Sequence, residues 1–185
     1  MSVRSQSSSR PAEGSQLLLA GALGLACLGI AWSALHLPYF HRYQIVDTPV
    51  YREYGEAMAD GRVPYRDFGV EYPPAALPVF LAPTLAPAER YDTVFELLML
   101  ACTAGAVACV VLAIGAAGAS ALRLMGAAAL VGLAPLALGS VVLTRYDAWP
   151  ALLSVAALAA VVSGRERLGF SALALGTAAK IYPAV

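Results

Sequence analysis

Residues 97–122 read LLMLACTAGAVACVVLAIGAAGASAL, without one Asp, Glu, Lys or Arg. A helix that crosses a bilayer needs about 20 mostly apolar residues, in a range of roughly 17–25, and this stretch supplies them. Uncharged stretches recur on both sides of it, at 14–41, 124–144 and 148–164, with a shorter one at 168–179. Hydrophobic residues make up 59% of the chain and charged residues 13%, about half the roughly 25% charged share of soluble domains. Water alone cannot solvate such a surface. The pattern predicts an all-α integral membrane protein, a multi-spanning helix bundle with about five spans near 16–37, 91–116, 122–143, 147–163 and 168–185. Gly and Ala are frequent in these spans, which lets helix backbones approach closely.

The flanks set further expectations. Residues 1–15 are polar and Ser-rich, as in a disordered leader. Arg4 and Arg10 precede the first apolar run as in a secretory signal, but that run, Leu17 to Leu37, exceeds the roughly 7–15 residues of a signal core. It reads as a retained helix. The apolar end at Lys180–Val185 is expected to continue into a longer protein, so that 16–185 is the N-terminal part of a transmembrane domain. Basic residues collect on the cytoplasmic side of membrane proteins. With the N-terminus inside, Arg4, Arg10, Arg123, Arg165 and Arg167 all fall there. Residues 38–90, the turn Thr144-Arg145-Tyr146-Asp147 and the end of the fifth span then share the outer face.

Zero net charge and the lack of an Arg/Lys run exclude a nucleic-acid partner. Cys27, Cys102 and Cys109 lie in apolar spans and read as small buried hydrophobes; no His or carboxylate accompanies them as a metal site requires. No metal or other cofactor is expected.

The polar segment 38–90 carries the candidate chemistry. Asp47-Thr48-Pro49 has the form of a helix start, with Asp at the N-cap and Pro in the first turn. Val50, Tyr51, Tyr54, Ala57 and Met58 recur at helical spacing against Arg52, Glu53, Glu56 and Asp60, and Gly61 stops the run. This predicts an amphipathic helix of three turns lying along the membrane surface. The stretch 75–88 is apolar but too short to span and is broken by Pro78, Pro83 and Pro87; it is expected to dip into the interface or pack on the bundle.

Asp47 is a helix cap by position, and equally a carboxylate held at the membrane boundary where a general base is useful. Tyr65, Arg66, Asp67, Glu71 and Tyr72 combine aromatic faces with carboxylates, which suits a sugar ring and its hydroxyls; the plainer reading is a surface loop with a local Arg66 ion pair, worth little. Arg145 and Asp147 are either a local pair or part of a site. Lys180 sits far into an apolar segment, where it either snorkels to water or meets a partner. In the functional reading, Arg145 and Lys180 bind the phosphate of a lipid carrier, Arg through its planar fork and Lys as a point charge.

The run Asp47-x-x-Val50-Tyr51, Gly61-x-Val63-Pro64-Tyr65-Arg66-Asp67-Phe68 and Glu71-Tyr72-Pro73-Pro74 resembles bacterial membrane glycosyltransferases of family 87. Thr144-Arg145-Tyr146-Asp147-Ala148-Trp149-Pro150 and Lys180-Ile181-Tyr182-Pro183 are similar to the same family, and the matches run in order from about residue 40 to 185. The resemblance implies the GT-C architecture, with a large first extracytoplasmic loop, and a plasma-membrane α-mannosyltransferase that uses a polyprenyl-phosphate-sugar donor and a cell-envelope lipid or glycan acceptor. It makes Asp47 the catalytic base. Tyr51, Tyr65, Arg66, Asp67, Glu71, Tyr72, Arg145, Asp147 and Lys180 become the candidate substrate-binding set. A transporter or flippase is the main alternative; it commonly places charges near mid-membrane within repeated broken helices, whereas here charges gather at one boundary and no repeat is visible. A non-catalytic subunit of an envelope complex would not need so carboxylate-rich a first loop.

Overall fold

The computed structural model describes residues 14–40 and 46–181. Arg4, Arg10, Arg42, nearly all of the expected leader 1–15, and Tyr182-Pro183 at the end of the fifth expected span lie outside the described residues. Among those described, the chain is helical and has no strand; a single bridge joins Pro64 to Phe68.

Among the described residues, three helices are long and apolar enough to cross a membrane: α1 (Gly14–Leu35), α4 (Tyr91–Ala116, with a 3-10 turn Ala88–Arg90 leading into it) and α5 (Ala121–Leu138). Large apolar side chains face outward along them, among them Leu18, Ile30, Leu112, Leu122 and Leu130, as expected where lipid is the solvent. α1 and α5 meet along a seam of small residues, Ala20 and Gly24 against Ala128 and Gly132. At Gly132 an added Cβ would lie 2.3 Å from the Gly24 carbonyl oxygen, so the two backbones are as close as glycine permits. Glu96 fastens α1 to α4: its Oε1 accepts the Trp32 indole N–H at 3.0 Å and lies 2.7 Å from His36 Nε2.

The other expected spans depart from the reading of charge gaps. The stretch 122–143 is not one helix. Pro135 lies inside α5, where it has no N–H to bond the preceding turn. Four residues on, Gly139 takes φ 70°, ψ −160°, a conformation essentially reserved for glycine. The helix ends there, and a one-turn α6 (Val141–Thr144) follows. α7 (Ala148–Val162) and α8 (Glu166–Ala179) have 15 and 14 residues. At about 1.5 Å per residue they are about 22 Å long, short of the 17 residues or so that a span needs. They form a tight hairpin through Gly164 (φ 75°), and α7 packs on α4 as well.

Residues 46–90 build a cap on one end of these helices. α2 (Thr48–Ala59) begins and ends where the sequence predicts. Arg62 N–H bonds to Ala57 C=O and Gly61 N–H to Met58 C=O, with Gly61 at φ 82°, the paired closure that a C-terminal glycine allows. Tyr51, Tyr54 and Ala57 are buried, but Val50, expected on the same face, is 40% exposed. The apolar face of α2 is covered by protein, namely the short helix α3 (Leu77–Leu81), the 3-10 turn Ala82–Leu85 that follows it, and the start of α4, while the preceding 3-10 turn Pro74–Ala76 packs on α8. An anchoring face on lipid is therefore not what this amphipathic pattern serves. The stretch around α3 packs on the bundle, one of its two expected fates, burying Val79 and Phe80. Arg52 reaches Asp92 at 3.0 Å and lies over the Tyr91 ring, tying α2 to α4.

Gly55 lets α2 settle on α3, since a Cβ there would meet the Phe80 carbonyl oxygen at 2.3 Å. Gly55→Ala is expected to lower stability by about 1–3 kcal/mol through overpacking, against a helix-propensity gain of about 1 kcal/mol. Thermal unfolding in detergent checks this against Gly29→Ala, where nothing lies within 4 Å and no loss is expected.

Candidate functional site

Asp47 and Asp147 occupy equivalent local positions. Each is the residue just before a helix, α2 and α7, and each is followed within three residues by a proline. An aspartate there ordinarily turns its carboxylate onto the first-turn N–H groups. Neither does so here. The first turn of α2 is instead closed through the Asp47 main-chain oxygen, which accepts the Val50 and Tyr51 N–H groups, leaving the side chain for other partners.

Those partners come from far along the chain. Arg145 leaves α6 in extended backbone (φ −121°, ψ 145°), and its Nε donates to Asp47 Oδ2 at 2.7 Å. The Asp147 carboxylate pairs with Lys180 Nζ, which comes from the C-terminal end of α8. Between them lies buried Tyr146. Lys180 Nζ is 5.2 Å from its ring centroid, and its hydroxyl donates to the Ala179 carbonyl at 3.2 Å. Neither a local Arg145–Asp147 salt bridge nor a snorkelling Lys180 describes this arrangement. Two long-range pairs stand side by side, and all four charged groups remain partly exposed.

The floor of the site is aromatic. Tyr51 stacks on Phe80 with centroids 4.4 Å apart and meets Tyr72 and Tyr146 edge-on at 5.4 and 5.7 Å. Tyr72 and Tyr146 are themselves edge-on at 5.3 Å. The Tyr51 hydroxyl points to Asp47 Oδ2 at 3.4 Å. Burial above all, then Tyr72 and the carboxylates of Asp47 and Asp147, push the Tyr51 phenol well above its ordinary range, so it stays a proton donor. The hydrogen bond to Asp47 likewise raises Arg145, which remains a cation at any working pH. Trp149 Nε1 donates to the Ala75 carbonyl at 3.1 Å and ties the 3-10 turn Pro74–Ala76 to the start of α7.

The remaining candidates are arranged differently. Arg66 and Asp67 form a two-point pair at 2.8 and 2.9 Å with Arg66 71% exposed, and Asp67 Oδ2 also accepts the Val63 N–H at 2.8 Å. Arg66 first, then Val63, lower the Asp67 carboxyl below its usual value. These two residues hold a turn at 63–68, in which Tyr65 adopts φ 64°, and are not drawn into the pairs around Asp47. Tyr65 donates through its hydroxyl to the Tyr72 carbonyl, and Glu71 is exposed beside Tyr72. Sequence reasoning did not single out Tyr146, Phe80 or the Trp32–His36–Glu96 cluster. A Tyr set between a basic and an acidic residue, and a Glu opening an apolar span, were the available signals.

A cleft of about 450 Å³ runs between α4, α5 and α7. Thr103, Ala106, Val131, Ala134, Leu138 and Val155 are among its walls, and Arg145 and Asp147 line it where α5 breaks. Hydrocarbon walls thus lead to charged groups in one continuous depression. Cys102 is buried, Cys27 and Cys109 are half-buried, and all three are free thiols. Among the described residues no three His, Cys, Asp or Glu side chains gather in a metal-holding group.

Compared with models of known protein families, with curated proteins and with solved structures, the chain matches none. Among the described residues, fold and composition together define an all-helical protein with three helices long and apolar enough to cross a membrane, crowned at one end by a packed polar segment.

Proposed function

We propose that the protein is a membrane glycosyltransferase of the GT-C kind, resembling family 87, which moves a sugar, mannose by that resemblance, from a polyprenyl-phosphate donor to a cell-envelope lipid or glycan acceptor. The single observation that carries this reading is the cleft whose apolar walls lead to Arg145 and Asp147, with Asp47 held 2.7 Å from the same Arg145. A lipid phosphate is an apolar chain ending in an anion, and the cleft has both chemistries in that order. In this reading the chain has about five passes in the plasma membrane, with residues 38–90 on the extracytoplasmic face.

The reaction is one displacement with inversion. An acceptor hydroxyl oxygen attacks the anomeric carbon and gives its proton to the Asp47 carboxylate. The bond from the anomeric carbon to the phosphate oxygen breaks, and its electron pair leaves with polyprenyl phosphate. The transition state has oxocarbenium character, as in glycoside hydrolysis. Arg145 and Lys180 stabilise the negative charge that gathers on the leaving phosphate. Tyr72, half-buried, offers its ring and hydroxyl to the sugar, whereas Tyr51, expected from the sequence to contact substrate, is buried on Phe80 and supports Tyr72 from beneath.

The test is transfer itself. Full-length protein in liposomes is given a synthetic polyprenyl-phosphate-mannose labelled in the sugar, together with envelope lipids. Label is expected on an acceptor, with the carrier recovered as polyprenyl phosphate. Intact carrier recovered in the opposite leaflet would instead make the protein a flippase.

A further inference from the structure

The two ion pairs leave the site electrically complete while it is empty. Asp47 and Asp147 balance Arg145 and Lys180, and none of these contacts serves helix capping. A phosphate entering along the cleft adds negative charge beside two carboxylates. Recognition by arginine uses its planar edge in two-point fashion, and Nε of that edge is held by Asp47. A phosphate that takes the Nε side of the fork competes with Asp47 for it. The same Asp47 oxygen, Oδ2, is occupied in the empty site by both Arg145 Nε and the Tyr51 hydroxyl, and so does not face an incoming acceptor.

We propose that Asp47 and Asp147 are placeholders for the phosphate of the lipid carrier: the arriving phosphate takes over Arg145 and Lys180, and Asp47 is released to act as base only when a donor is seated. This rests on the lipid-phosphate donor reading above. Arg145 is then a positioning residue for Asp47 in the empty protein and a phosphate ligand in the loaded one. The device confines proton abstraction to sites that already hold a donor.

The experiment measures binding of a polyprenyl monophosphate to full-length protein in nanodiscs. Asp47→Asn keeps the side-chain shape, removes the competing charge and is expected to tighten binding by up to about five-fold, the upper end for a partly exposed pair. Arg145→Gln is expected to weaken binding at least about ten-fold. The double variant should bind like Arg145→Gln alone, because the gain acts through that arginine. Asp147→Asn tests the same exchange at Lys180 and serves where the first variant does not fold. Damage to the site lowers affinity, so a tighter complex has no purely structural explanation. If the wild type binds and neither Asn variant binds more tightly, the pairs are fixed struts and the exchange is wrong. If folded wild type does not bind polyprenyl phosphate, the donor reading falls and the exchange with it. Inorganic phosphate is expected to compete only weakly, and equal affinity for it would take the lipid out of the proposal.

Discussion

Asp47→Asn is expected to cut sugar transfer by about 10²–10⁴-fold, the usual contribution of a positioned general base, while the protein folds and inserts normally. The substitution keeps size and hydrogen-bonding shape. It removes only the capacity to accept a proton and the charge opposite Arg145. The loss should fall in kcat, with donor affinity improved rather than impaired, because the asparagine no longer contends for the guanidinium. Transfer kinetics with a labelled donor separate the two. Activity within about ten-fold of wild type would remove Asp47 from the role of base and leave it as a partner for Arg145 alone.

Gly132→Leu is expected to have the largest structural effect. The new Cβ alone would lie 2.3 Å from the Gly24 carbonyl oxygen and 2.9 Å from Cys27 Cβ. Backbone cannot swing aside as a side-chain tip does, so α1 and α5 must part along the seam that joins them. The cost is expected near the upper end of overpacking penalties, about 3 kcal/mol or more. Fluorescence-detected size exclusion and thermal unfolding should show little monodisperse protein. Gly126→Leu, six residues away on α5 with nothing within 4 Å of its added Cβ, is the matched control and should behave like wild type. Equal melting of the two variants would mean that the seam is not a principal contact.

What the sequence makes legible follows from the reach of each signal. The expected spans 16–37 and 91–116 fall within two residues of α1 and α4, because a long apolar helix needs little but composition, although the charge-free runs themselves miss helix ends by six residues. Pro49 and Gly61 mark both ends of α2 because caps are local. The break at Gly139 escapes the same reading: glycine and proline inside an uncharged run leave its charge pattern intact, and only backbone geometry shows that the helix stops. Val50 fits a helical periodicity that cannot say which flank the protein covers. The partners of Asp47 and Asp147 lie 98 and 33 residues away, so no window of sequence contains both members of a pair. Arg66 and Asp67 are the opposite case. Neighbours in sequence, they form the local pair that adjacency favours.

The shortness of the α7–α8 hairpin has a consequence for the lipid around it. If α7 and α8 cross the membrane as proposed above, helices of about 22 Å would meet a hydrocarbon layer of about 30 Å, a mismatch that thinning of the adjacent bilayer relieves at a cost of a fraction of a kcal/mol per Å. Head groups beside the hairpin would then be drawn toward the level of Asp147 and Lys180, one at each of its open ends. A membrane-bound phosphate would then reach those residues by lateral diffusion, with no need to be lifted out of its leaflet.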